Sequence, residues 1–120
     1  MSDNNATLEQ LKAIASKFIL DRDWRQYHGA KNISMNLAVE AAELMELFTW
    51  AKDRHDAGTI VEEKKEAIRH ELSDILFSLL IFADEYNIDL TQAFKEKMVH
   101  NAEKYPVDKC KGINKKYNEY

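Results

Sequence analysis

Apolar side chains at Leu8, Leu11, Ile14 or Ala15, and Phe18 recur every three or four positions, the period of one face of an α-helix. Thr7-Leu-Glu-Gln10 has the spacing of a capping box, so the pattern predicts a first helix over 8–22. The run "DWRQYHGAKN" then breaks the period with aromatics, a histidine and a glycine, and reads as a shaped loop. The period resumes near Ser34 and predicts a second helix ending around His55, ahead of Gly58. Thr59-Ile-Val-Glu62 repeats the capping-box spacing and opens a long third helix over about 60–86. Asp89-Leu-Thr-Gln92 caps a fourth, which stops before Pro106 because a residue preceding proline resists the helical region. The remaining "VDKCKGINKKYNEY" is polar and basic, either loose or folded over a neighbour. The pattern therefore predicts an all-α protein, a four-helix bundle in a single domain over 1–120, with about 106–120 as a polar tail.

Acids interrupt the apolar faces of the two central helices. With about 100° per residue, Leu37, Leu44, Leu47 and Phe48 all fall within roughly 80° of Glu40. Glu43 lies at the border of that arc, and Glu46 drifts toward the polar side. On the third helix Ile68, Ile75, Leu79 and Phe82 surround Glu71 in the same way, and Asp74 falls between Ile81 and Ala67. An ionised carboxylate removed from water without a partner either takes up a proton or disfavours the fold. The nearest cationic candidate on the third helix is His70, too little for four acids. A divalent cation would neutralise them, and an all-oxygen donor set suits Mg²⁺ or Mn²⁺ better than zinc. The spacing alone leaves a second possibility open: a non-catalytic helical interaction module whose acids are solvated or salt-bridged. A carboxylate-bridged di-iron bundle fits less well, since neither acid pair carries the histidine at i+3 which that chemistry uses.

Composition narrows the setting. Three glycines and one proline are few for the turns of a sandwich or barrel, and 45% apolar with 32% charged residues suits one compact helical domain. A net charge of -4 argues against coating a nucleic-acid polymer, which needs clustered Lys and Arg. The longest apolar run, "ILFSLLIFA", is too short to cross a membrane. A lone Cys110 and a start without basic and apolar leader regions favour a reducing cytoplasm. Phe77 and Ile81 widen the apolar face of the third helix beyond what three neighbours cover, which predicts self-association.

The chain resembles the MazG-like all-α nucleoside triphosphate pyrophosphatases, in particular their dCTP pyrophosphatase branch. The resemblance rests on Glu40-Ala-Ala-Glu43 followed, after residues 44–70, by Glu71-Leu-Ser-Asp74, the ExxE and ExxD of that pattern. "RDWRQYHGAKN", "ELFTW" and "KMVHNAEKYP" are similar to further segments of the branch. The resemblance implies hydrolysis between the α and β phosphates, with Mg²⁺ (Mn²⁺ being possible) held by Glu40, Glu43, Glu71 and Asp74. Glu43 is the expected general base, and Glu71 the second candidate catalytic acid. Lys97, Asn101 and Lys104, on one face of the fourth helix, are expected to meet phosphates; Trp24, His28, Trp50 and Tyr105 are expected to meet the base. Lys31 and Asn32 divide between helix entry and ligand contact. The family also implies a homodimer or homotetramer with sites built partly from adjoining subunits. Val39, Gly29-Ala30 and Thr49 depart from the family pattern, and the departures at Gly29-Ala30 and Thr49 fall near the expected base contacts.

Overall fold

The computed structural model describes residues 1–120. It is helical throughout, with no strand: α1 (Leu8–Asp21), α2 (Ala30–Glu46), α3 (Arg54–Glu63), α4 (Lys65–Glu85), α5 (Leu90–Lys104) and a single turn, α6 (Val107–Cys110). Two 3-10 turns, Arg25–Tyr27 and Tyr117–Glu119, complete it. No helix is long and apolar enough to cross a membrane.

The first capping box forms as the spacing predicts. Thr7 Oγ1 accepts the Gln10 backbone N–H at 3.1 Å, and the Gln10 side chain accepts that of Thr7 at 2.8 Å. Asp89 caps α5 by accepting the Gln92 N–H at 2.9 Å, and α5 ends ahead of Pro106. The middle of the chain differs from its periodicity. α2 starts at Ala30, earlier than Ser34, because Ile33 is buried in its first turn and Tyr86 supplies the cap that Gly29 lacks: the Tyr86 hydroxyl accepts the Ala30 N–H at 2.8 Å. It ends at Glu46, well before His55. Asp53 then caps a separate helix, accepting the Asp56 N–H at 2.9 Å while Asp56 accepts that of Lys52 at 3.2 Å. Gly58 lies inside α3, and Thr59 is no cap, its hydroxyl donating instead to the His55 carbonyl at 3.3 Å. The predicted helix over 60–86 is divided at Lys64, whose φ of -114 and ψ of 29 leave the helical region.

Contacts divide the chain into two compact units, Met1–Asn87 and Ile88–Tyr120. In the first, α4 packs against α2 and α1, and α3 also touches it. Ala15, Ile19, Ile33, Ile68, Leu80, Ile81 and Ala83 form the buried core, with Ser78 wholly enclosed. Each large apolar side chain buried this way contributes about 1.5–3 kcal/mol. Leu72, Leu76 and Leu79 on α4 remain exposed, with Ile14 and Phe18 on α1. In the second unit the polar tail is ordered against the end of its own helix. Tyr105 meets Tyr117 edge-on at 6.1 Å and Tyr120 at 6.3 Å, and the Tyr120 hydroxyl donates to the Lys104 carbonyl at 2.5 Å.

Candidate metal centre

Tyr86, at the end of α4, reaches the start of α2, and Asn36 on α2 donates to Ser78 on α4 at 3.2 Å, so the two helices run antiparallel. This pairing brings ExxE and ExxD together. One carboxylate oxygen each from Glu40, Glu43 and Glu71 lies within 4.8 Å of the others. Glu40 and Glu71 are half-buried, and one oxygen of each, Oε2, is enclosed without a hydrogen-bond partner. Glu43 is exposed. The ion pairs made by Glu9, Asp21, Glu62, Glu66, Glu85 and Glu103 leave these acids out.

The crowding shows in their acidities. Loss of water, followed by the negative charge of Glu43 and then of Asp74 and Glu71, pushes the Glu40 carboxyl up to about 7. Glu71 is raised for the same first reason, with Glu43 and Asp74 adding to it. Asp74 itself stands outside the three-acid group and is exposed, close enough for its charge to bear on both. Enclosed, unpartnered oxygens within a group of three carboxylates fit a hard divalent cation. They do not fit a di-iron centre of the Glu-x-x-His type, since no histidine joins the group.

Asp74 also lies on the wall of an apolar cavity of about 490 Å³ between α1 and α4, lined by Leu11, Ile14, Phe18, Leu76 and Phe77. Sequence periodicity assigned Phe18 to the apolar stripe of the first helix and Phe77 to a surface for self-association. The available signal was Phe77 standing one turn after Asp74 on the same helix. Trp24 packs edge-on against Phe18 at 5.8 Å, and Phe18 against Phe77 at 5.9 Å, so Trp24 braces this cavity from the loop. His28 lines a smaller pocket of about 160 Å³ with Arg25, Asp84 and Glu85. Its Nδ1 is enclosed without a partner, while Arg25 and Glu85 pair at 3.0 Å.

Trp50 lies elsewhere. It is 89% exposed beyond the C-terminal end of α2, whereas His28 precedes the N-terminal end, and a helix of 17 residues is about 25 Å long. One chain therefore cannot present both to a single base. Lys31 is exposed at the start of α2, and Asn32 there donates to the Tyr27 carbonyl at 3.0 Å, a helix-entry role. In the second unit Lys97, Asn101 and Lys104 share a face of α5, Asn101 being half-buried. The Lys104 ammonium sits 4.9 Å from the centre of the Tyr117 ring, and Tyr105 is held between the two tail tyrosines.

Curated proteins and a solved structure resemble this chain. The dCTP pyrophosphatase 1 of Mus musculus is 36% identical over 114 residues, covering 94% of this chain and 67% of its own length. That of Homo sapiens is 35% identical over 115 residues, with the same coverage. The crystal structure of a pyrophosphatase from Archaeoglobus fulgidus DSM 4304 superposes with a TM-score of 0.81 at 32% identity, covering 88% of this chain and 98% of that one. Residues 33–120, which include all four acids, match the MazG-like family, and with relatives of this similarity along almost the whole chain, the protein belongs to that family.

Proposed function

We propose that the protein is a divalent-metal-dependent nucleoside triphosphate pyrophosphohydrolase that cleaves dCTP, or a modified dCTP, to the monophosphate and pyrophosphate. The observation that carries this reading is the convergence of Glu40, Glu43 and Glu71, two of them with enclosed, unpartnered oxygens, in a chain whose relatives are dCTP pyrophosphatases. The ion is Mg²⁺, with Mn²⁺ as substitute, held by Glu40, Glu43, Glu71 and Asp74. When bound, it neutralises phosphate charge and acidifies water.

The residues divide the remaining work by exposure. Glu40 and Glu71 face inward and keep the cup's floor fixed. Glu43, exposed at the rim, accepts the proton of the attacking water at its carboxylate. The apolar cavity beside Asp74 has the volume of a small-molecule site and takes the base, with Trp24 bracing its wall and His28 lining the separate pocket beside Arg25. Within the second unit, Lys97, Asn101 and Lys104 on one face of α5 are the groups we assign to phosphates, and Tyr105 to the base. The family match spans 33–120 and thus crosses both compact units, which supports one functional domain. The exposed apolar face of α4 and the distance of Trp50 from His28 support a homodimer or homotetramer in which Trp50 completes a neighbour's site.

Incubation of the purified protein with each dNTP, with Mg²⁺ or with EDTA, tests the reading. Pyrophosphate released from dCTP only when metal is present is expected. Failure to release it from any nucleotide removes the hydrolase and leaves a helical binding module.

A further inference from the structure

The polar seam between α2 and α4 continues beyond the acids. Asn36 lies four residues before Glu40 on α2, and Ser78 four residues after Asp74 on α4; because the helices are antiparallel, both displacements run in one direction. Asn36 and Ser78 are hydrogen-bonded to each other at 3.2 Å. Ser78 has no exposed surface at all, so its hydroxyl forms a fixed floor, whereas Asn36 is open to solvent. The Asn36 carbonyl oxygen and second N–H make no other hydrogen bond. At the other end of the seam, beyond Glu43 and Glu71, the next inward positions are apolar, Leu47 and the buried Ile68. Polar character therefore extends from the acids in one direction only, toward the His28 loop.

Four helical residues correspond to about 6 Å of rise. In a nucleotide whose phosphates sit at the acids, the group joined directly to the α-phosphate is the sugar, and the base lies a ring further on. A primary amide with a free donor and a free acceptor matches a hydroxyl, which both donates and accepts. We infer that Asn36, held in place by Ser78, is a specificity-determining residue that binds the 3′-hydroxyl of the deoxyribose. The inference rests on the hydrolase reading for the location of the phosphates, and Ser78 acts in it as a positioning residue.

Steady-state kinetics with dCTP and with 2′,3′-dideoxy-CTP, which lacks that hydroxyl, tests it in the wild type, Asn36→Ala and Ser78→Ala. Asn36→Ala is expected to raise KM for dCTP about ten-fold, the loss of one well-placed hydrogen bond to a substrate group. Removing the amide and the hydroxyl together should cost no more than removing either one, because they are partners in one contact. Ser78→Ala should move KM in the same direction by less, with Mn²⁺ affinity, titrated calorimetrically without nucleotide, changed less than about two-fold in either variant. Additive losses, an unchanged KM, or a parallel weakening of Mn²⁺ binding would overturn the assignment, the last by showing that the pair only spaces the acids. If the wild type hydrolyses neither nucleotide, the hydrolase reading fails by itself, and the same comparison made by calorimetric titration of the two nucleotides still decides the sugar contact.

Discussion

Glu40 shows how a single residue carries both a cost and a use. Its proton is retained to about pH 7 in the folded chain, against about 4.5 for an ordinary glutamic acid. Between those values the native state binds more protons than the unfolded state, so raising the pH favours unfolding. Metal-free protein in EDTA should thus lose thermal stability as pH rises from about 4.5 to about 7, and Mg²⁺ or Mn²⁺ should restore it at neutral pH, as differential scanning calorimetry would report. A stability that is flat across that window, with no response to metal, would mean that the acids are solvated. Glu71→Gln should weaken Mn²⁺ binding and reduce pyrophosphate release by about 100-fold or more, since it deletes a ligand charge and not merely its support. These acids were legible in the sequence because carboxylates on an apolar stripe contradict its period. The cavity beside them was not, because Phe18 on its stripe and Phe77 on a surface for self-association read the same whether they are covered or line a pocket.

At the level of elements, the sequence was most readable where a side chain caps a helix by itself. Thr7 and Asp89 do so as their spacing predicts. α2 was misplaced at both ends because its determinants lie elsewhere: its first N–H is accepted by Tyr86, far along the chain, and its end follows from Asp53 starting a new helix. The division at Lys64 falls within "EEKKE", a run of good helix formers in which no residue signals a break. Removing these determinants should have graded effects. Asp53→Ala should cost about 1 kcal/mol through loss of the cap. Tyr86→Phe, which leaves the Ala30 N–H without its acceptor, should cost about 0.5–1.5 kcal/mol. Urea denaturation measures both, and an unchanged midpoint for Tyr86→Phe would show that solvent serves α2 equally well.

For the whole molecule, the decisive fact is that two expected base contacts cannot meet within one chain. His28 and Trp50 bracket α2, about 25 Å long, and Trp50 is the most exposed of the large hydrophobic side chains. An indole kept in water gains nothing for the isolated chain, and the open face of Leu72, Leu76 and Leu79 is a surface that a second copy would cover. If Trp50 serves the acids of a neighbouring protomer, Glu71→Gln and Trp50→Ala should each be nearly inactive alone yet complement one another when mixed. In a mixed dimer the Trp50→Ala chain keeps its own carboxylates and receives an intact indole from the Glu71→Gln chain, so one of the two sites is whole. With random exchange, half of the dimers are mixed, and activity should recover to about a quarter of wild type. Recovery should follow the rate of subunit exchange and disappear when each variant is cross-linked to itself beforehand. Mixtures no more active than their components, in a protein that sedimentation shows to be dimeric, would place each complete site within a single chain and leave Trp50 outside it.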